Sequence, residues 1–307
     1  EALRVDPESA ELLHQLANTH LALAELEEAR REIEGAFARA PSSVKIRVTF
    51  AAVCGAQGEY ALSEQHSRAA LRLEPDSLHA LTNLGTALIE QGRIDEARMA
   101  YDEAVRLAPG DPFVCIARGA MSLEVDGRVD EGIEWFRKAQ RLQPGLSRAE
   151  VKEASALLLS GRYAEGWERY EARKQHSSIG FELYESIHLR DWDGSALGGR
   201  SIVLYGEQGL GDEIMFSSCV PEVLAQTDTC HFLCHERLTG LFARSFSDAT
   251  VIGWRRQGRD TKAIEVPRAD FKCALGTLPR DLRGSREAFP DHNGYLLADP
   301  SRVARWQ

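Results

Sequence analysis

Cysteine, positive charge and long apolar runs are all scarce in this 307-residue chain, and each shortage removes a class of protein. Six cysteines (Cys54, Cys115, Cys219, Cys230, Cys234 and Cys273) are too few for a disulfide scaffold. No segment approaches the roughly 18 consecutive apolar residues of a membrane helix. The opening EALRVDPESA lacks the basic-then-apolar order of a secretory signal. A soluble, cytoplasmic protein with no membrane span is the expectation. Lys and Arg number 37 against 47 Asp and Glu, a net charge of −10. The deficit is spread out: 22 basic against 29 acidic residues through position 176, and 15 against 18 beyond it. With no polybasic arm, nucleic acid is not an expected partner. The length suggests two domains, and the first residue is Glu1 rather than Met, so a piece of a longer protein is expected.

CHFLCH is the one cysteine-rich phrase, with Cys230, His231, Cys234 and His235 in ligand-like order. It reads as a short buried strand. On a strand Cys230 and Cys234 share a face but lie about 13 Å apart, at about 3.3 Å per residue, too far to chelate one ion. They are therefore expected as core residues, and no metal site is assigned.

What is present is a repeat. Pro7, Pro41, Pro75 and Pro109 are spaced by 34, Pro144 follows at 35, and each closes a similar phrase (ALRVDP, AFARAP, ALRLEP, AVRLAP, AQRLQP). Aligned units at 10–43, 44–77 and 78–111 carry small residues where helices must touch. The eighth position holds Ala17, Ala51 and Gly85, the twentieth Ala29, Ser63 and Ala97, and the twenty-seventh Ala36, Ala70 and Ala104. Leu16, Phe50 and Leu84 fill the seventh. Gly58 and Gly92 stand where a left-handed residue ends the first helix. In the fourth unit Gly119 and Gly127 are one residue further apart than Gly85 and Gly92, which places an extra residue in or just before that turn. A fifth, less regular unit supplies Tyr163, Trp167 and Tyr170 on one helical face. That face is read as packing, with a ligand cage as the alternative.

A period of 34 is the tetratricopeptide (TPR) period, and the segment through residue 176 resembles TPR proteins. The resemblance implies a solenoid of stacked helical hairpins with a concave face that binds a protein or peptide. The sixth positions read Gln15, Thr49, Asn83, Ala117 and Lys152. The Lys and Asn set that clamps peptide termini in this family is incomplete here, as is its ladder of asparagines. Asn83 is left as either a peptide-binding residue or a plain helix-surface one.

Near Trp192 the pattern changes. DWDGSALGGR is a turn-rich bridge. SIVLY is a compact strand, GEQGLGDE a glycine loop, and IMFSSCVPEVLAQ a stretch of helical length. Further strands are expected at CHFLCH and ATVIGW, with a helix at RLTGLFARSF between them. Alternating strands and helices imply a mostly parallel, Rossmann-like sheet with the glycine loop at the carboxyl end of the first strand, where such sheets bind ligands. Gly206, Gly209 and Gly211 give G-x-x-G-x-G, which matches neither the dinucleotide fingerprint nor a P-loop. Asp212 then has two readings. It is either a helix-capping carboxylate or a general base for a substrate hydroxyl. Glu207 and Gln208 either project into a cleft or are solvated loop residues.

YGEQGLGDEIMFSSCVPEVLA, with HERLTGLFARSF, GTLPR and GYLLADP following in order, resembles the acceptor-side half of GT-B glycosyltransferases related to lipopolysaccharide heptosyltransferases. Bacterial proteins that place such a domain behind a TPR array are similar in layout. The resemblance implies that Asp212 deprotonates an acceptor hydroxyl, with Gly209 and Gly211 giving acceptor and donor close access; from their place in the same loop, Gly206, Glu207, Gln208 and Glu213 are also expected to bind substrate. A nucleotide sugar would be the donor substrate, with neither cofactor nor metal required. It also implies a second, donor-binding domain that would follow the linker-like RVARWQ. The expected domains are therefore a TPR array over 1–176, a linker over 177–199, and the first Rossmann-like half over 200–307. Two functions follow: sugar transfer from a nucleotide sugar to an acceptor that the concave TPR face recruits, or a non-catalytic TPR interaction scaffold.

Overall fold

The computed structural model describes residues 9–175, 187–254, 266–291 and 294–305. Pro7, the expected boundary at 176, and Trp306 lie outside these residues. The chain divides into two compact units, 1–160 and 161–307.

The first unit is a TPR solenoid. Its hairpins are α1 (Ala10–Ala22) with α2 (Leu26–Arg39), α3 (Val44–Ala56) with α4 (Tyr60–Leu73), α5 (Leu78–Glu90) with α6 (Ile94–Leu107), and α7 (Pro112–Ala120) with α8 (Val129–Leu142). The first helix of the fifth repeat, α9 (Ser147–Leu159), ends the unit. Local chemistry starts the first helices: Ser9, Ser43 and Asp111 accept backbone N–H bonds from Leu12, Ile46, and Phe113 with Val114. Packing explains the eighth position. A Cβ on Gly85 would fall 2.6 Å from Tyr101 Cζ, and one on Gly119 would fall 2.7 Å from Phe136 Cε1. The units with Ala17 and Ala51 at the eighth position carry the smaller Ile33 and Ser67 at the repeat position of Tyr101. Glycine appears where an aromatic ring crosses the hairpin, so helix spacing is set by matched volumes.

The first helix of each hairpin ends in a Schellman turn, in which the N–H of the second residue past the cap reaches back five residues. These bonds run from Glu25 to His20 O, Glu59 to Cys54 O, Arg93 to Leu88 O, and Arg128 one residue further back to Ser122 O. The left-handed position is Gly58 (φ +79°), Gly92 (φ +74°) and Gly127 (φ +66°), but in the first hairpin it is Ala24 (φ +57°). A methyl group there costs about 1 kcal/mol. Ala24→Gly is thus expected to stabilise the protein by about 0.5–1 kcal/mol, less the entropy glycine adds to the unfolded chain. A urea midpoint that rises at unchanged m-value supports this, and an unchanged or lower midpoint contradicts it.

The fourth unit's extra residue is absorbed before the turn. Residues Met121–Val125 form a single π turn that continues α7, and the buried Met121, Ser122 and Leu123 keep facing the core. A π turn accommodates one added residue without breaking the helix.

The second unit opens with α10 (Tyr163–Tyr170) and a 3-10 turn, Glu171–Gln175. Its sheet contains β1 (Arg190–Asp191), β2 (Ile202–Tyr205), β3 (Cys230–His235), β4 (Ala249–Trp254) and β5 (Phe271–Ala274), in the spatial order β1-β5-β2-β3-β4, with every pairing parallel. The three expected strands are present, and β1 and β5 are additions. β2 is buried along its whole length, as both faces of a parallel sheet require. Ile202, Leu204, Phe232, Cys230 and Cys234 face one core with Phe216, Val220 and Phe242, while Val203, Tyr205 and Leu233 face a second. Cys230 and Cys234 therefore are core residues on one face of β3. Burial pushes each thiol up to about 12, so both stay neutral. Trp167 and Tyr170 pack on the first core, where both rings meet Phe216 at 6.1 Å; the aromatic face of α10 is packing.

The helix after the glycine loop differs from expectation. It begins inside the loop as α11 (Leu210–Phe216), passes through a 3-10 turn at Ser217–Cys219, and resumes as α12 (Val220–Leu224). Pro221 has no N–H to donate, so the α ladder cannot run unbroken through this segment. The later elements are α13 (Thr239–Ser245), α14 (Leu278–Leu282) and α15 (Pro300–Val303).

Candidate functional site

Strand order locates the site in the second unit. From β2 the sheet grows outward through β3 and β4, and then the chain returns to place β5 on the other side of β2. The crevice between β2 and β5 is thus a topological switch point, the position at which open α/β sheets bind ligands beyond their carboxyl ends. Gly206–Gly209 leaves the carboxyl end of β2, and Gly276 and Thr277 of the GTLPR phrase lie just past that of β5.

The first layer over this crevice is filled by the protein itself. Arg173, 7% exposed, donates from Nε and Nη2 to Glu207 Oε1 at 3.1 and 2.9 Å, and Glu207 is 2% exposed. The same guanidinium donates to Thr277 Oγ1 at 3.0 Å and to Glu171 Oε1 at 2.7 Å. Thr277 in turn donates to Glu171 at 3.0 Å. Burial alone would raise the Glu171 carboxyl, but Arg173 and Lys174 outweigh it and hold the group below its ordinary value. Gln208 donates to Glu207 Oε1 at 3.2 Å and accepts from Tyr170 Oη at 3.0 Å. The cluster also explains Gly276, since a Cβ there would fall 2.6 Å from Glu207 Oε1 and 3.0 Å from Arg173 Nη2.

Asp212 and Glu213 are neighbours with opposite environments. Gly209 caps α11, which makes Asp212 its third residue rather than its cap, a correction to the simple capping reading. Asp212 Oδ2 accepts the Gly209 N–H at 3.2 Å, the half of a capping box that a glycine cap permits. Its other oxygen takes no hydrogen bond among the described residues. Gly211 beside it has open space where a side chain would be, and Gly209 is exposed. Glu213 instead is buried against Gly206, where a Cβ would collide with its carboxyl, and its Oε2 accepts the His235 N–H at 2.9 Å. It thereby ties the β2 loop to the carboxyl end of β3. Tyr295 of the GYLLADP phrase donates to Ile214 O at 2.7 Å and supports the same helix.

Burial raises the Glu213 carboxyl to about 7. A carboxyl raised in the folded state favours folding while protonated. Its contribution is complete below the unfolded value near 4.5 and is lost as pH rises toward 7. Glu213→Gln keeps an acceptor for His235 and cannot ionise. The variant is expected to lose that slope and to gain on the order of 2 kcal/mol relative to wild type at pH 8. Parallel denaturation curves at pH 5 and pH 8 check this, and a variant no better at pH 8 contradicts it.

The solenoid carries a second concave place. A pocket of about 430 Å³ lies across the first helices α5, α7 and α9, with Asn83, Ala117 and Lys152 in its lining. Three of the five sixth positions thus meet in one groove. Asn83 is half-buried, and its Nδ2 donates to Val48 O at 3.0 Å. Thr49 lies outside the groove lining and is bonded to His14 and Asn18.

All the residues singled out in the glycine loop therefore meet at the carboxyl edge of the sheet. Gly209, Gly211 and Asp212 are at its open side, while Glu207 and Glu213 are turned into the protein. Sequence reasoning missed Arg173, Glu171, Thr277 and Gly276. The phrase GTLPR was visible, but its contact with Glu207 depends on β5 returning beside β2.

The profile of the tetratricopeptide repeat family matches residues 55–112. Protein FlbA of Caulobacter vibrioides is 32% identical over 254 residues, which cover 78% of this chain and 42% of that protein. Human protein O-mannosyl-transferase TMTC1 is 26% identical over 170 residues, 54% of this chain and 19% of that protein. The chain spans less than half the length of these relatives. Among solved structures, the Cut9–Hcn1 hetero-tetramer of the APC/C is similar at a TM-score of 0.50 and 18% identity, over 57% of this chain and 35% of that one. The thermophilic TPR protein TTC0263 of Thermus thermophilus gives 0.47 and 24%, over 51% and 86%. The chain carries TPR repeats, and no helix among the described residues is long and apolar enough to cross a membrane.

Proposed function

We propose that this chain is the TPR and acceptor-side portion of a cytoplasmic bacterial glycosyltransferase of the GT-B, heptosyltransferase-related kind. In this reading an acceptor hydroxyl attacks the anomeric carbon of a nucleotide sugar. The new C–O bond forms as the bond to the nucleoside diphosphate breaks, and Asp212 takes the hydroxyl proton. One observation carries the proposal: a half-buried carboxylate with an uncommitted oxygen, flanked by the exposed Gly209 and the unobstructed Gly211, stands beside the switch point of a parallel sheet. Glu207 and Glu213 act as positioning residues that fix the loop from behind. Similarity to a protein named for O-mannosyl transfer supports sugar transfer as the reaction class. In this reading the nucleotide sugar is a substrate.

The scaffold reading is favoured by a separate observation, the groove across α5, α7 and α9. The two readings part in one assay. The natural full-length protein is tested for turnover of a panel of nucleotide sugars, with an Asp212→Ala control. Turnover that depends on Asp212 supports transfer. Turnover no greater than the control's sinks the enzymatic reading and leaves the scaffold.

A further inference from the structure

The two flanks of the glycine loop differ. Toward β5 the crevice is filled by Arg173, Glu207 and Thr277. Toward β3 the edge carries His235, the last residue of that strand, and Arg237 in the 3-10 turn Glu236–Leu238 that follows. His235 is held at two atoms. Its backbone N–H donates to Oε2 of Glu213, the neighbour of Asp212, at 2.9 Å, and its ring Nδ1 accepts the Arg237 N–H at 3.2 Å. A nitrogen that accepts carries no proton, so the neutral ring bears its hydrogen on Nε2. That N–H, on a half-buried side chain, has no hydrogen-bond partner among the described residues. The exposed Arg237 guanidinium likewise has no carboxylate among them. Arg173, Arg280 and Arg283 of the same unit are instead committed to Glu207, Asp281 and Glu222.

From this arrangement we propose that His235 Nε2–H and the Arg237 guanidinium form an oxyanion subsite at the carboxyl end of β3, which holds a phosphate or carboxylate group of the substrate handled beside Asp212. Both groups only donate, so they match an acceptor-only oxyanion better than a sugar hydroxyl, which must also give its own hydrogen. The guanidinium offers a planar fork to two oxygens of one anion. The ring is already fixed by its Nδ1 bond, so little side-chain freedom is lost on binding. Among the nearby acids, Glu213 lies behind the strand, and burial raises it to about 7, so below that pH it adds little negative charge. Glu236 stands between the two donors in sequence and is exposed. It opposes an anion, so an isolated ion is expected to bind with a dissociation constant on the order of 1 mM. The subsite rests on the reading of the Asp212 edge as a substrate site, but it is detected by anion binding and needs no turnover.

The test is nitrogen-15 NMR of the histidine side chains in the whole protein, titrated with inorganic phosphate, pyrophosphate or glucuronate at constant ionic strength. A saturable shift at His235 is expected. A response to phosphate or pyrophosphate identifies a phosphoryl group as the ligand and a response to glucuronate a carboxylate; either supports the proposal. Two variants separate binding from the turn. In His235→Asn the amide oxygen stands where Nδ1 stood and can still accept the Arg237 N–H, while the outer donor is gone. In His235→Gln the outer donor is kept and the inner acceptor is lost. Followed by backbone amide shifts, His235→Asn should weaken the anion by about tenfold or more, the worth of a hydrogen bond to a charged group, at an unchanged thermal midpoint. His235→Gln should keep most of the affinity and lower the midpoint. Arg237→Gln, an exposed change, should also weaken binding. No shift with any of the three anions overturns the proposal, as does an equal shift with sodium chloride or wild-type affinity in His235→Asn. A saturable anion response without Asp212-dependent turnover supports the subsite and sinks the enzymatic reading, and turnover without an anion response does the reverse.

Discussion

Arg173→Ala is expected to lower the unfolding free energy of the second unit by about 3–5 kcal/mol, the cost of leaving a buried charge without its partner. The guanidinium serves Glu207, Thr277 and Glu171 at 2.7–3.1 Å from a site almost closed to water. Its removal leaves the buried Glu207 carboxylate without its cation. Glu207→Ala strands the guanidinium, although Glu171 still compensates part of that charge, so a smaller loss is expected. Arg173→Met combined with Glu207→Leu removes both charges at similar volume, and should recover much of what either single truncation loses. Calorimetry of the wild type, the two truncations and the double replacement reads these differences. A loss below about 1 kcal/mol for Arg173→Ala would show that water already screens the pair.

Asp212→Asn is expected to lower kcat by about 10²–10⁴-fold, the usual worth of a general base, while stability changes little. The asparagine oxygen can still accept the Gly209 N–H that Asp212 Oδ2 accepts at 3.2 Å, so the helix start is retained. What is lost is proton acceptance. If Asp212→Asn destabilises the protein as much as it slows transfer, Asp212 is a structural carboxylate only.

Local rules exposed the solenoid early, because each repeat solves the same problem within one hairpin. The period of 34, the small eighth-position residues and the turn glycines are all set by neighbours in sequence. Gly85 under Tyr101 is one case, and the Schellman turns at Gly58 and Gly92 are another. Even the extra residue of the fourth unit was visible as a spacing. Its form was not, because a π turn and a longer loop lengthen the interval between two glycines equally. The sheet was legible only where strands were strongly apolar. β5 has four residues, and one of them is Lys272, whose Nζ is satisfied by Ile187 O at 2.7 Å. No period-2 pattern can emerge from so short a run.

The glycine loop itself was legible, whereas its support was not. Arg173 precedes Glu207 by 34 residues and Thr277 follows it by 70, so only the sheet order brings the three together. Glu213 illustrates the same gap. Beside Asp212 in sequence the two look interchangeable. Helix geometry turns one outward and the other onto Gly206 and His235, and burial then lifts Glu213 to about 7. The Asp212 capping alternative was half correct: the side chain does accept a helix-start N–H, but from position three and with one oxygen to spare.

Amide hydrogen exchange of the natural full-length protein, with and without each of the common nucleotide sugars, bears on the site without knowledge of the acceptor. One donor that slows exchange at Gly209, Leu210, Gly211 and Asp212, and still does so in Asp212→Asn, is the predicted outcome. If no sugar nucleotide protects these amides, or protection falls only in segments away from the carboxyl ends of β2 and β5, the sheet edge is not where this protein handles sugars.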